Sequence, residues 1–312
     1  MILKIHDLDV FTDRPFRGNP TTVVLNSEGL SHEEMQAVAR ELNLETTFVS
    51  SPIDLRAVFR LHYFMPLCRI ELCGHGTIGA IWALAEEGTI PRGLPELTVE
   101  TPVGFLKIEL EWEEERLKKV VMDQLPPKFA RPDCSAEEVA QVLGITPDSI
   151  VNAGLPLTSA STGRAKLLIP VTDRQALDSI TPNRGLLEEL CRRIRVTGLY
   201  AFTMKPRNQG AAAEARQFPC GGGVVEDPVT GVAACALGAY LVYHPSLTPR
   251  DRDLAWEGSL RGYQAHVPTT GPPPAAAPPP PPPGTLGRPA RKAPCGLGTA
   301  SPSPPNAPPS PA

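Results

Sequence analysis

The run Val225-Glu226-Asp227-Pro228-Val229-Thr230-Gly231 leads directly into Val232-Ala233-Ala234-Cys235-Ala236-Leu237-Gly238-Ala239-Tyr240-Leu241. That junction limits the possible folds more than any other stretch. The second part holds no charge and is small or apolar throughout. It is too apolar for a surface helix and far too short to span a bilayer, so it predicts a helix buried on all sides. Pro228 suits a first helical turn, and Asp227 before it suits an N-cap. A buried helix start aims free backbone N–H groups and a positive dipole end into the interior. Such an end can hold an anion or an acidic substrate.

Leu72-Cys73-Gly74-His75-Gly76-Thr77 followed by Ile78-Gly79-Ala80-Ile81-Trp82-Ala83-Leu84-Ala85 has the same grammar. Gly76 and Gly231 are 155 residues apart. Two similar halves are expected, each with one buried helix, the two helix starts facing each other across a cleft. The repeat is one of architecture, since the two stretches share little identity.

The chain has 312 residues, room for one large domain or two of ordinary size. Residues 271–312 hold 17 of the 37 prolines, no aromatic residue and no acid. A segment like that cannot bury enough apolar surface to offset its ordering entropy, and it reads as disordered. Without the tail's Arg288, Arg291 and Lys292, residues 1–270 carry 34 acids against 27 bases, so 27 − 34 gives −7. That sign argues against nucleic acid as a partner. No apolar run is long enough for a membrane helix, and no signal peptide is visible. Seven scattered cysteines, without zinc-like spacing, suggest reduced thiols in the cytoplasm and no metal site.

In chain order, Leu3–Phe11 alternates as a strand, Arg17-Gly18-Asn19-Pro20 turns, and Thr21–Leu25 is its β-branched partner. Ser31 and Glu34 make a capping box for an outer helix with Met35, Val38, Ala39 and Leu42 on its apolar face, ending at Asn43. Strands are expected at Thr46–Val49, Val58–Phe64, Leu97–Thr101, Phe105–Leu110 and Lys119–Met122, and further on at 150–160, 165–171, 198–204 and 215–219. Outer helices are expected at Ala136–Leu143, capped by Ser135, and at Leu186–Ile194. Weak strands lie near Leu260 and at 265–267. Many short strands with few helices point to a barrel-like sheet.

Four motifs, Phe16-Arg17-Gly18-Asn19-Pro20, Glu45-Thr46-Thr47-Phe48, Cys73-Gly74-His75-Gly76-Thr77 and Glu226-Asp227-Pro228-Val229-Thr230-Gly231, carry a resemblance over roughly residues 1–267. In order and spacing they resemble the PhzF-like proteins of phenazine biosynthesis. The resemblance implies an α+β, diaminopimelate-epimerase-like fold: two pseudo-repeated domains, each a β-barrel around a central helix. The corresponding division is 1–117, 118–268 and a proline-rich tail, 269–312. It implies a homodimer and a cofactor-free isomerase that moves a proton within a small carboxylate-bearing metabolite, cyclic in the family's type member. Glu45 then matches the acid/base, His75 the active-site histidine and Asp227 the second-domain aspartate. Gly74, Gly76, Thr77, Thr230, Gly231 and Asn19 become substrate-binding candidates. One carboxylate that takes a proton and returns it elsewhere on the same face suffices for such a shift.

The plainer readings are a solvated Glu45 at a helix–strand joint, a structural His75 and an Asp227 that only caps a helix. Three departures from the family stand out. Val232 replaces a common Ser, Leu44 precedes the acid/base where many relatives have Ser, and the C-terminal closing strands are apparently missing. The tail, where Gly287-Arg288-Pro289 faintly matches a family motif, is either a genuine extension or a frame-shifted end. Two other functions remain open. One is a two-thiol racemase using Cys73 with Cys220 or Cys235. The other is an inactive binding module whose Pro278–Pro283 run recruits a proline-recognition domain.

Overall fold

The computed structural model describes residues 2–12, 16, 18–207, 211–221 and 223–244. The readings made at Arg17, near Leu260, at 265–267, for the closing strands and for the 269–312 tail lie outside the described residues. The chain opens with an antiparallel pair, β1 (Ile5–Val10) and β2 (Asn19–Val24). In α1 (His32–Leu42) the capping box forms in full: Ser31 Oγ accepts from the Glu34 N–H, and the Glu34 carboxylate accepts from the Ser31 N–H. The helix stops at Asn43, in the left-handed region at φ 53. Then come β3 (Thr46–Ser50), β4 (Phe59–Phe64), β5 (Arg69–Ile70), α2 (Gly74–Glu86), β6 (Glu96–Thr101), β7 (Gly104–Glu113) and β8 (Arg116–Met122).

These strands form one sheet in the order β1-β2-β3-β4-β6-β7-β8, with β5 beside β4. The pairs β2–β3 and β4–β6 are parallel. Strands at both ends of that order, β1 and β8, touch the same helix α2, so the sheet curls around it. Ile78, Ala80, Ile81 and Leu84 of α2 share a core with Val23, Leu61, Tyr63, Val99 and Ile108. Each large side chain buried there contributes about 1.5–3 kcal/mol. α1 covers the sheet's other face, packing Met35 and Ala39 on Val24, Phe48 and Phe64. The first sheet continues through β8 to Met122, past the 117/118 division.

The second part contains β9 (Lys128–Ala130), α3 (Ala136–Leu143), α4 (Asp148–Val151), β10 (Thr158–Ser161), β11 (Lys166–Pro170), α5 (Arg174–Asp178), α6 (Arg184–Ile194), β12 (Gly198–Thr203), β13 (Glu214–Pro219) and α7 (Gly231–Tyr243). Its sheet has the order β13-β12-β11-β10-β9, with β11–β12 parallel. Leu168, Tyr200 and Phe202 pack on Ala233, Ala236, Leu237 and Tyr240 of α7. The alternate residues Leu167, Ile169, Leu199 and Ala201 pack on α3, α5 and α6. Covered on both faces, the two middle strands read as unbroken apolar runs.

The whole is a mixed α/β fold. Two expectations need correction. Residues 150–160 are not one strand: Asp148–Val151 is a helical turn, and the strand starts only at Thr158. The second buried helix begins at the Thr-Gly turn as expected, at Gly231, but its cap position is Thr230, without a side-chain cap bond, so Asp227 does not cap it and Pro228 is not in its first turn. Among the described residues no helix is long and apolar enough to cross a membrane.

Candidate active site

The starts of α2 and α7 do face each other. A Cβ placed on Gly74 would lie 3.4 Å from Val232 Cγ2 and 3.9 Å from the Val232 nitrogen. Beside this contact is a cleft of about 260 Å³ whose walls include Asn19, Glu45, His75, Lys166, Gln217 and Asp227. The N–H groups that lack an intrahelical partner at both helix starts add positive potential at its edge.

Local packing fixes each side chain. At Gly18 a Cβ would come within 2.4 Å of the Val10 carbonyl oxygen, so only glycine lets the chain turn there. The turn delivers Asn19 as the first residue of β2, nearly fully buried. Its carboxamide nitrogen donates to Asp227 Oδ1 at 2.7 Å and to the Val229 carbonyl, and lies 3.3 Å from His75 Nδ1. Glu45 sits between the αL residue Asn43 and β3, its own carbonyl accepting from the Thr22 N–H and the Thr21 hydroxyl. Its Oε2 is 3.5 Å from His75 Nε2. Asn19 Nδ2 has two hydrogens for three neighbours, so the tautomer follows from Glu45 instead: a proton on Nε2 lets the imidazole donate to the carboxylate it faces.

Asp227 is tied to β13 through its N–H, which donates to the Gln217 carbonyl at 3.0 Å. It is therefore not a helix cap but a wall group of the cleft. Burial pushes its carboxyl above the ordinary range and the Glu45 charge adds to this, while His75, Lys166 and the Asn19 hydrogen bond oppose it. Cys73 caps α2, its Sγ accepting from the Gly76 N–H at 3.1 Å. Burial, then the charge of Glu45, drives that thiol well above its ordinary value, so it stays protonated. Glu45, Cys73 and His75 offer three ligand atoms within 4.8 Å of one another, and among the described residues these could hold a metal ion.

Of the predicted binding residues, Gly74, Thr230, Gly231 and Asn19 line the cleft, whereas Gly76 and Thr77 do not. Thr77 is fully buried, and its hydroxyl bonds the Cys73 carbonyl at 2.7 Å and the Tyr63 hydroxyl at 2.8 Å. Gly76 is required by space, since a Cβ would be 2.3 Å from Thr47 Oγ1. Val232 turns a methyl toward Gly74, and Leu44 ahead of Glu45 leaves the carboxylate within reach of His75. Neither Cys220 nor Cys235 is among the residues lining the cleft, and burial raises Cys235 to about 12.

Sequence reasoning missed Lys166 and Gln217. Lys166 is 4 % exposed and Gln217 2 %. Burial first, then Arg164, lowers Lys166 to about 7, while Asp227 and Glu45 pull it up. Neither end of the Gln217 carboxamide has a partner among the described residues. Leaving such a group unpaired in the interior costs about 1–3 kcal/mol. The signal available was the position of Lys166 at the head of Leu167-Leu168-Ile169, a strand apolar on both faces, where a charge needs a reason.

The sequence profile of the phenazine biosynthesis-like proteins, PhzC-PhzF, matches residues 8–258. The uncharacterised isomerase YddE of Salmonella typhimurium is 34 % identical over 263 residues, 82 % of this chain and 84 % of that protein. An uncharacterised isomerase of Clostridium acetobutylicum is 32 % identical over 244 residues, 77 % of this chain and 80 % of its own. The crystal structure of the PhzF-family protein of Bacillus anthracis superposes with a TM-score of 0.69 at 32 % identity, covering 78 % of this chain and 80 % of that one. A hydroxyproline epimerase from Agrobacterium vitis shares the fold at a TM-score of 0.58 and 15 % identity, over 79 % and 78 % of the two chains. The chain therefore belongs to the phenazine biosynthesis-like family, a family of isomerases.

Proposed function

We propose that the protein is a one-base isomerase acting on a small, carboxylate-bearing metabolite. The observation carrying this reading is the meeting of Glu45, His75 and Asp227, far apart in sequence, around the Asn19 carboxamide at one cleft. The Glu45 carboxylate takes a proton from a substrate carbon; the C–H electron pair delocalises into the adjoining unsaturated or carbonyl system. The carboxylic acid so formed returns the proton to another carbon on the same face, regenerating the carboxylate. The Nε2 proton of His75 stabilises negative charge as it develops on substrate oxygen. Asp227, held by Asn19, accepts a hydrogen bond from a substrate amine or hydroxyl. This chain's residues supply the acid and base without a cofactor.

Solvent deuterium exchange into small amino and carboxylic acids, read by mass spectrometry, tests the proposal. Glu45→Gln is expected to lower exchange by about 10²–10⁴-fold while the fold persists; exchange that continues at the wild-type rate removes Glu45 from the mechanism. The two-thiol alternative draws less support, because Cys73 is the one cysteine among the residues that line the cleft. We further read the two helix-centred halves as pseudo-equivalent, and the protein as a cytoplasmic homodimer. Sedimentation at micromolar concentration checks the dimer.

A further inference from the structure

We propose that Lys166 and Gln217 form a subsite for the substrate's carboxylate on the sheet wall of the cleft, with the Gln217 carboxamide also reading a donor beside it. The inference rests on the one-base reading above and names the residues that give it a substrate class. The strand register supports it first. Leu168 pairs with Tyr200, and Tyr200 with Gln217, so this ladder points its side chains to the α7 face. Lys166, two residues before Leu168, shares that face. The parallel pairing Leu167↔Leu199 puts Gly198 beside Lys166 on the neighbouring strand.

Gly198 leaves the room that Gln217 uses. A Cβ there would lie 2.5 Å from Gln217 Nε2, so the carboxamide extends across the glycine, toward the strand that carries Lys166. The amide then presents an N–H₂ and a carbonyl that nothing among the described residues satisfies, at 2 % exposure in a cleft wall. Buried amides with both ends free are rare in folded proteins, so this one calls for a partner that the described residues do not supply. Lys166 lines the same cleft, and among the described residues no carboxylate lies within ion-pairing distance of its amine, so an anion bound there would hold it protonated.

The charge pattern selects the occupant. A cation would meet Lys166 and Arg164, which also lines the cleft. A dianionic phosphate would meet the carboxylates of Glu45 and Asp227 in a space of only about 260 Å³. A planar monoanion satisfies the Lys166 ammonium and the Gln217 N–H₂ together. The remaining Gln217 Oε1 accepts from an amine or hydroxyl next to the carboxylate. The substrate class is therefore a small carboxylate with a neighbouring amino or hydroxyl group.

The experiment compares 2-hydroxybenzoate with its neutral counterpart 2-hydroxybenzamide, titrated by NMR into the wild type, Lys166→Met, Gln217→Leu and Glu45→Gln. The wild type is expected to bind the acid at least ten times more tightly than the amide. Lys166→Met removes that preference by weakening the acid alone, while its melting temperature holds or rises because a buried cation is gone. Gln217→Leu weakens both compounds several-fold. Glu45→Gln keeps the preference, so loss of the proton-transfer reading and loss of the subsite are told apart. Equal binding of acid and amide by the wild type, binding of neither, or an acid preference that survives in Lys166→Met overturns the assignment. If Lys166→Met does not fold, the wild-type pair and Gln217→Leu decide it: an acid preference together with weakening of both compounds supports the subsite, and failure of either overturns it.

Discussion

Replacing Asn19 by Asp exchanges one atom that matters, the carboxamide nitrogen, for an oxygen. In the wild type that nitrogen donates to Asp227 Oδ1 at 2.7 Å. In Asn19→Asp two carboxylate oxygens face each other at the same place. Two unit charges about 3 Å apart, at an effective dielectric near 20, repel by about 6 kcal/mol. Taking up one proton at pH 7 instead costs a carboxyl of ordinary acidity about 4 kcal/mol. The smaller cost wins, so the pair shares a proton, and the burial that already raises Asp227 helps to hold it. Above about pH 4 the folded variant then binds one proton more than the unfolded chain, and its stability falls by about 1.4 kcal/mol for each pH unit of rise. Relative to wild type, the expected loss is about 1.5 kcal/mol at pH 5 and about 4 kcal/mol at pH 7. Urea denaturation of both proteins at pH 5, 6 and 7 measures it. The new oxygen also draws the imidazole proton of His75 to Nδ1, away from Glu45, so exchange activity drops by about 10²-fold or more. A stability loss that is the same at pH 5 and pH 7 refutes the argument, because it means that the two carboxyls do not share a proton.

Other outcomes follow from the same geometry. Cys73→Ser keeps exchange activity within about tenfold of wild type, because the hydroxyl still caps α2 and no thiolate is used; a loss comparable to that of Glu45→Gln supports thiol chemistry instead. Gly76→Ala forces a methyl to within 2.3 Å of Thr47 Oγ1 and destabilises by about 1–3 kcal/mol. A thermal melt registers that as a drop of roughly 3–10 °C. Zinc inhibits competitively with substrate and EDTA restores activity, since Glu45, Cys73 and His75 together make a zinc-type ligand set; inhibition unchanged in Cys73→Ala counts against that site.

Much of the scaffold was legible because it obeys local rules. The Ser31–Glu34 capping box fixed the start of α1, and its apolar stripe named Met35 and Ala39, which the structure buries. The two central helices announced themselves because the residues after their first turns are almost all small or apolar. The misread at 150–160 has a physical cause. Ile150 and Val151 favour strand locally, yet packing of α4 against α3 holds them in a helical turn. The site was less legible. Nothing local distinguishes Glu45 from any junction glutamate; its meaning comes from His75, which it meets only after folding. Thr77 looked like a ligand contact beside His75, but one further step along α2 turns it away to Tyr63. Lys166 and Gln217 acquire a role only through the register of three strands.

The Asn19 carboxamide joins Asp227 and Val229 to His75, residues drawn from opposite ends of the chain. It acts as a clasp across the gap where the proposed substrate enters. The two helix starts cannot swing apart like a hinge without breaking it. A ligand must slip through the mouth as it stands or wait for the clasp to release. A nascent or clipped chain that lacks the segment around Asp227 has no clasp and only one wall of the cleft.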